Sequence, residues 1–96
     1  MGRIEINNII INYLTAYQPA SIGIFGSYAR GENKIDSDID ILVDLKTQIG
    51  LLEFVKIGYE LSELLGIKVD LVTEKSLKNE KIKKYIHTDL QVIYKA

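Results

Sequence analysis

From Asp38 to Asp44 the chain reads Asp-Ile-Asp-Ile-Leu-Val-Asp, a strict alternation that constrains the fold more than any other stretch. Successive side chains of a strand point to opposite faces. Ile39, Ile41 and Val43 then share one face, and Asp38, Asp40, Leu42 and Asp44 share the other. The segment reads as a half-buried strand whose polar face begins with two carboxylates at i and i+2. An apolar layer must cover its isoleucine face, and other strands must flank it.

The surrounding sequence supplies both. Ile6, Ile10, Tyr13 and Tyr17 recur at helical spacing and predict a helix over Arg3–Tyr17, ended by Pro19. Ser21–Phe25 is short, apolar and β-branched, the pattern of a buried strand. Gly26-Ser27 forms a turn into a short helix that Gly31 interrupts, and residues 32–37 form a polar loop. Leu51–Leu65 is the clearest helix, with Glu53, Lys56, Glu60 and Glu63 along one stripe and Gly66 as its C′ residue. Ile67–Val72 reads as a further strand carrying the single acid Asp70. Lys75–His87 reads as a basic helix with Leu77, Ile82 and Ile86 inward, and Leu90–Tyr94 as a closing strand. Interleaved helices and strands predict an α/β (α+β) fold, a small mixed sheet with flanking helices, and residues 1–96 as one domain. No linker or repeat marks an internal boundary.

Composition narrows the function classes. Twelve basic and 13 acidic side chains give a net charge near −1, so nothing indicates a nucleic-acid coat or an acidic membrane surface. The absence of cysteine removes disulfides, thiolate metal sites and cysteine nucleophiles, and fits a cytoplasmic protein. No apolar run reaches the roughly 18 residues of a membrane span. Lys75, Lys78, Lys81, Lys83 and Lys84 crowd one segment, as a solvated helix face or as a docking surface for an acidic or phosphate-bearing partner.

The chemistry concentrates between Gly26 and Asp40, GSYARGENKIDSDID. Gly26-Ser27 stands at the carboxyl end of a buried strand and opens a helix, where unpaired N–H groups and a partial positive charge suit phosphate oxygens. Asp38 and Asp40 point to one face, where they can hold a divalent cation. Asp70 is a lone acid in an apolar strand, a costly placement unless it is paired or bound to metal. With its strand beside that of Asp38, three carboxylates converge and their repulsion gives them reason to bind two Mg²⁺ ions. Arg30 either steadies phosphate charge or makes a salt bridge to the acidic loop.

Gly26-Ser27, ten residues, Asp38-Ile39-Asp40 and a later Asp70 resemble the minimal nucleotidyltransferase (MNT) family of the DNA-polymerase-β superfamily, as do Gly26–Gly31 and the order of elements. The resemblance covers essentially the whole chain. It implies a polymerase-β-like nucleotidyltransferase fold, with ATP as substrate and Mg²⁺ as cofactor. Gly26 and Ser27 would hold the β- and γ-phosphates. Asp38 and Asp40 would ligate both metals, and Asp70 would complete the second metal site and accept the proton of the attacking hydroxyl. Small members of the family commonly act as antitoxins beside a HEPN-domain toxin, some by transferring AMP to a toxin tyrosine.

The expected activity is therefore AMP transfer to a hydroxyl of a HEPN toxin in a homo- or hetero-oligomer. The nucleotide core nearly consumes 96 residues, which favours a protein acceptor. Two alternatives stand: transfer to a small molecule such as an aminoglycoside, and a non-catalytic binding module that neutralises its partner by occlusion. Elsewhere, His87 suits surface hydrogen bonding, Tyr13, Tyr17 and Tyr59 suit packing, and Tyr28 is the tyrosine placed for nucleotide contact. Asp36 and Asp44 read as solvated.

Overall fold

The computed structural model describes residues 1–96. Its elements run α1 (Arg3–Leu14), a 3₁₀ turn (Thr15–Tyr17), β1 (Pro19–Phe25), α2 (Gly26–Arg30), β2 (Ile39–Leu45) and α3 (Leu51–Leu65). They continue with β3 (Val69–Thr73), a second 3₁₀ turn (Glu74–Ser76), α4 (Glu80–Asp89) and β4 (Gln91–Lys95). The four strands form one mixed sheet in the order β3-β2-β1-β4. β1 pairs antiparallel with β2 and with β4, whereas β2 and β3 pair in parallel through the α3 crossover.

The alternation in β2 decides the layering. Ile39, Ile41, Val43 and Leu45, with Ile22 and Ile24 of β1, form the floor on which α1 (Ile6, Ile10, Leu14) and α3 (Ile57, Leu61, Leu65) pack. The opposite face carries a second, smaller cluster of Phe25, Leu42 and Ile86, roofed by α4. Leu42 sits among the carboxylates of its face and is itself buried, so that face is polar toward its Asp38–Asp40 end and apolar in the middle. Between α1 and α3, the Tyr13 hydroxyl donates to Glu60. Burial, and after it that bond, hold the phenol well above its ordinary pKa.

Several boundaries depart from the sequence reading. α1 stops at Leu14, and the chain leaves through the 3₁₀ turn and Gln18, which takes a left-handed φ of 53°. Pro19 thus starts a strand, a position where its missing N–H costs little. The basic helix begins at Glu80 because the Asn79 side chain caps it, accepting from the N–H groups of Lys81 (2.9 Å) and Ile82 (3.2 Å). Residues 75–79 are consequently turn and extended chain, with Lys75 in the second 3₁₀ turn. Ile82, expected inward, lies exposed on α4, as does Tyr59 on α3. Leu51–Leu65 and its left-handed Gly66 stand as the sequence predicts.

Removing the Asn79 cap should cost about 1 kcal/mol. Asn79→Ala is expected to lower the urea midpoint with an unchanged m-value, whereas Asn79→Asp should keep most of the stability.

Candidate functional site

The parallel register of β2 and β3 builds the site. It places Asp40 directly beside Asp70, one strand over, while the antiparallel register sets Asp40 beside Phe25, the residue before Gly26. The carboxyl end of β1 and the amino ends of β2 and β3 therefore meet at one end of the sheet. Asp38 lies one residue ahead of β2, beyond the first ladder pair, and the Ile39 N–H donates to the Lys68 carbonyl at 2.9 Å.

Gly26 and Asp40 fit together closely. Gly26 adopts φ +74°, and a Cβ added there would stand 2.1 Å from Asp40 Oδ2. The glycine thus meets two demands, a left-handed turn and room for a carboxylate against its backbone. It opens α2, whose N-terminus has no side-chain cap, so Gly26 and Ser27 offer free donors beside the acids. This helix ends at Gly31, again left-handed, whose N–H donates to Tyr28.

Like charges crowd the acidic end. Asp40 is pushed up to about 6, first by desolvation, then by Asp70 and Asp38, against a smaller opposing pull from Arg30. Asp38 has one cation near it, Lys68 Nζ at 3.8 Å, an exposed pair worth little in stability. Asp70 is exposed, so its place in an apolar strand costs less than the sequence suggests: β3 is an edge strand with no fully buried residue. No three acidic or histidine side chains close around a single point as a ready-made metal cage. Magnesium does not need one: it keeps several waters and binds through one or two carboxylates plus substrate phosphates. Hard oxygen donors, and an Asp40 already short of positive charge, fit that mode of binding.

The remaining candidates are engaged elsewhere. The Arg30 guanidinium donates to Glu32 (2.8 Å) and Asp89 (2.9 Å), which raise its pKa further, Glu32 more than Asp89. It ties α2 to α4 and reaches phosphate only by releasing one of them. His87 bonds Glu74 at 3.0 Å, an ordinary surface contact near the end of α4. Tyr28 is half-buried against the main core, and its carbonyl accepts from Arg3. Asp36 is exposed, and Asp44 is half-buried in a groove on the α4 side with Glu74 and His87. Lys68 and Asp89 were invisible to sequence reasoning. Lys68 becomes notable only once the β2–β3 register sets it beside Asp38, and Asp89 only once α4 crosses α2.

A glycine turn into a helix N-terminus held against a crowded carboxylate face is an arrangement suited to nucleotidyl transfer. The chain belongs to the nucleotidyltransferase domain family, whose profile matches residues 8–93, and within it to the minimal, protein-adenylyltransferase type. It is 54% identical over 74 residues to MJ1217 of Methanocaldococcus jannaschii, assigned as a protein adenylyltransferase, covering 77% of this chain and 76% of that one. It is 55% identical over 58 residues to the protein adenylyltransferase MntA of Thermococcus cleftensis, covering 60% of this chain and 59% of that one. Its fold superimposes on a crystal structure of a toxin–antitoxin with AMP-PNP at a TM-score of 0.85 and 26% identity, covering 94% of this chain and 73% of that one.

Proposed function

We propose that this chain transfers AMP from ATP to a tyrosine hydroxyl of a cognate HEPN-domain toxin, and so acts as its antitoxin. The observation that carries the proposal is the packing of Asp40 Oδ2 against Gly26, which couples the phosphate-binding turn to the carboxylates. Gly26 and Ser27 hold the β- and γ-phosphates through backbone N–H groups and the serine hydroxyl. Asp38, Asp40 and Asp70 would hold the magnesium ions, which when bound neutralise triphosphate charge and steady the attacking and leaving oxygens. The acceptor oxygen forms its bond to the α-phosphorus as the bond to the β-phosphate breaks. Its proton passes to Asp70, and pyrophosphate leaves.

The open position of the acids favours a protein acceptor. The Asp38 side chain is 43% exposed, Asp70 lies on an edge strand, and none of the three principal cavities is lined by Asp38, Asp40 or Asp70. A small acceptor would have no enclosing wall here, whereas a folded partner brings its own. The relation to the toxin–antitoxin with AMP-PNP supports both the partner class and the nucleotide.

The test is incubation with ATP labelled at the α-phosphate, magnesium and the product of the neighbouring gene. Label is expected on that protein, and none with Asp38→Ala. Label on a small molecule instead, or full neutralisation of the toxin by Asp38→Ala without any label, would falsify the reading.

A further inference from the structure

At the end of the sheet away from the acids, β2 and β3 part company. The two strands run parallel, but the chain after β2 crosses to α3 on the isoleucine face, whereas the chain after β3 crosses to α4 on the other. Adjacent parallel strands that diverge in this way leave a crevice beyond their carboxyl ends, where open α/β sheets bind ligands. Here the crevice is a cavity of about 710 Å³ between residues 45–54 and 71–78. Small-molecule sites span roughly 300–1,000 Å³, so the size suits one. Leu45, at its base, follows Asp40 by five residues of strand, which puts about 17 Å between the cavity and the acidic end.

The lining has a chemical bias. Leu45 is buried, and Ile49, Phe54 and Leu71 are half-buried, so the apolar part of the wall is held by the fold. Lys75 and Lys78 are the only charged residues on it, and neither pairs with a carboxylate. No Asp or Glu lines the cavity, in a chain whose net charge is −1. Glu74, next to Lys75, is already engaged by His87 and Lys83. α3 also begins here: Gly50 caps it without a side chain, and Phe54 is the first residue whose N–H donates within the helix. The preceding N–H groups add partial positive charge to that of the two lysines.

We infer that this crevice is a binding site for a small organic anion, a phosphate or carboxylate carried on an apolar or aromatic body. The lysines take the charged group, and the half-buried side chains take the body. An anion alone would leave the apolar wall uncovered, and an apolar molecule alone would leave both cations unmatched. The site stands apart from the proposed nucleotide site, and both can be filled at once.

Phenyl phosphate, an aromatic body with one phosphate, tests this on the whole ¹⁵N-labelled chain by amide correlation spectra. Saturable shifts are expected in residues 47–54 and 73–78. Reversing both lysines, Lys75→Glu with Lys78→Glu, should raise its dissociation constant at least about tenfold, since two charge-assisted contacts become repulsive. Both side chains are exposed, and unchanged amide positions elsewhere show that the variant is folded. Benzyl alcohol and inorganic phosphate, each carrying half of the chemistry, should bind at least about tenfold more weakly than phenyl phosphate. No saturable shift in the wild type, shifts confined to Gly26 and Ser27, binding indifferent to the lysine reversal, or inorganic phosphate bound as tightly would each overturn the inference. Loss of binding to the proposed toxin in the lysine variant, with no phenyl phosphate site in the wild type, would assign the crevice to the toxin and overturn it equally.

Discussion

Asp40→Asn is expected to stabilise the protein and to abolish its activity, two effects of one carboxylate. Without magnesium, the folded chain holds Asp40 near 6 against an ordinary value of 3.8. A raised carboxyl binds its proton more tightly folded than unfolded. Its contribution is fully present below the unfolded value and is lost as pH rises through 6. Above that, the ionised group weighs against the fold. Because the side chain is partly solvated, the penalty at pH 8 is about 1 kcal/mol after screening by water. Asparagine carries no charge, so the variant should gain on the wild type between pH 4 and pH 7 and level off above. Thermal or urea unfolding across that range, in the presence of a chelator, reads the gain. Adding magnesium should reverse the order, stabilising the wild type and leaving the variant little changed. AMP transfer should fall about 10³-fold, since a neutral amide neither draws in the cation nor balances triphosphate charge. An Asp40→Asn protein no more stable than the wild type at pH 8 would show that the acids do not repel as described.

Gly26→Ala should be the most damaging single methyl in the chain. An L-residue at a left-handed φ costs about 1–2 kcal/mol by itself. Here the added carbon also stands 2.1 Å from Asp40 Oδ2, so either the turn or the carboxylate must move. A displacement on the order of 1 Å at a reacting centre costs about 10²-fold in rate. We expect a loss of 2–3 kcal/mol in unfolding free energy, about 1–2 from φ and the rest from the displaced acid, with transfer lowered at least about 10²-fold. Gly31 provides the control. Its φ of +72° matches that of Gly26, but a Cβ there meets nothing within 4 Å. Gly31→Ala should lose the conformational part of the stability and keep its transfer rate. Equal activity losses in the two variants would mean that backbone strain in the turn, and not the Asp40 contact, sets the rate.

The contrast between those glycines shows what a sequence carries and what it does not. That both break the chain's regular structure follows from their type; that only one touches a carboxylate depends on strand pairing. The same holds across the molecule. β2 and α3 were readable because their periodicities are local, and Gly66 closes α3 where a left-handed residue is needed. That Asp40 and Asp70 are neighbours could be argued from an assumed pairing of their strands, and the parallel register supplies that pairing; with Asp38 the three acids share one end of the sheet without closing into a single cluster. The exposure of Asp70 could not, since nothing local tells an edge strand from a central one. Asn79 was overlooked as a cap because the lysines around it continue a helix-like pattern. Tyr59 was assigned to packing by its spacing alone, and the sheet lies on the other side of its helix.

The edge position of β3 has one further consequence. A free strand edge is a template on which another chain can add, and proteins blunt such edges with charge. Lys68, just ahead of β3, and Asp70 within it are exposed where an added strand would begin. The carboxylate that the chemistry places at the rim therefore also discourages aggregation there. Replacing it with valine would remove the proposed proton acceptor and leave a bare apolar edge, whereas asparagine would remove that acceptor and leave the edge polar. The two variants should be equally inactive and differ in how readily they self-associate on storage.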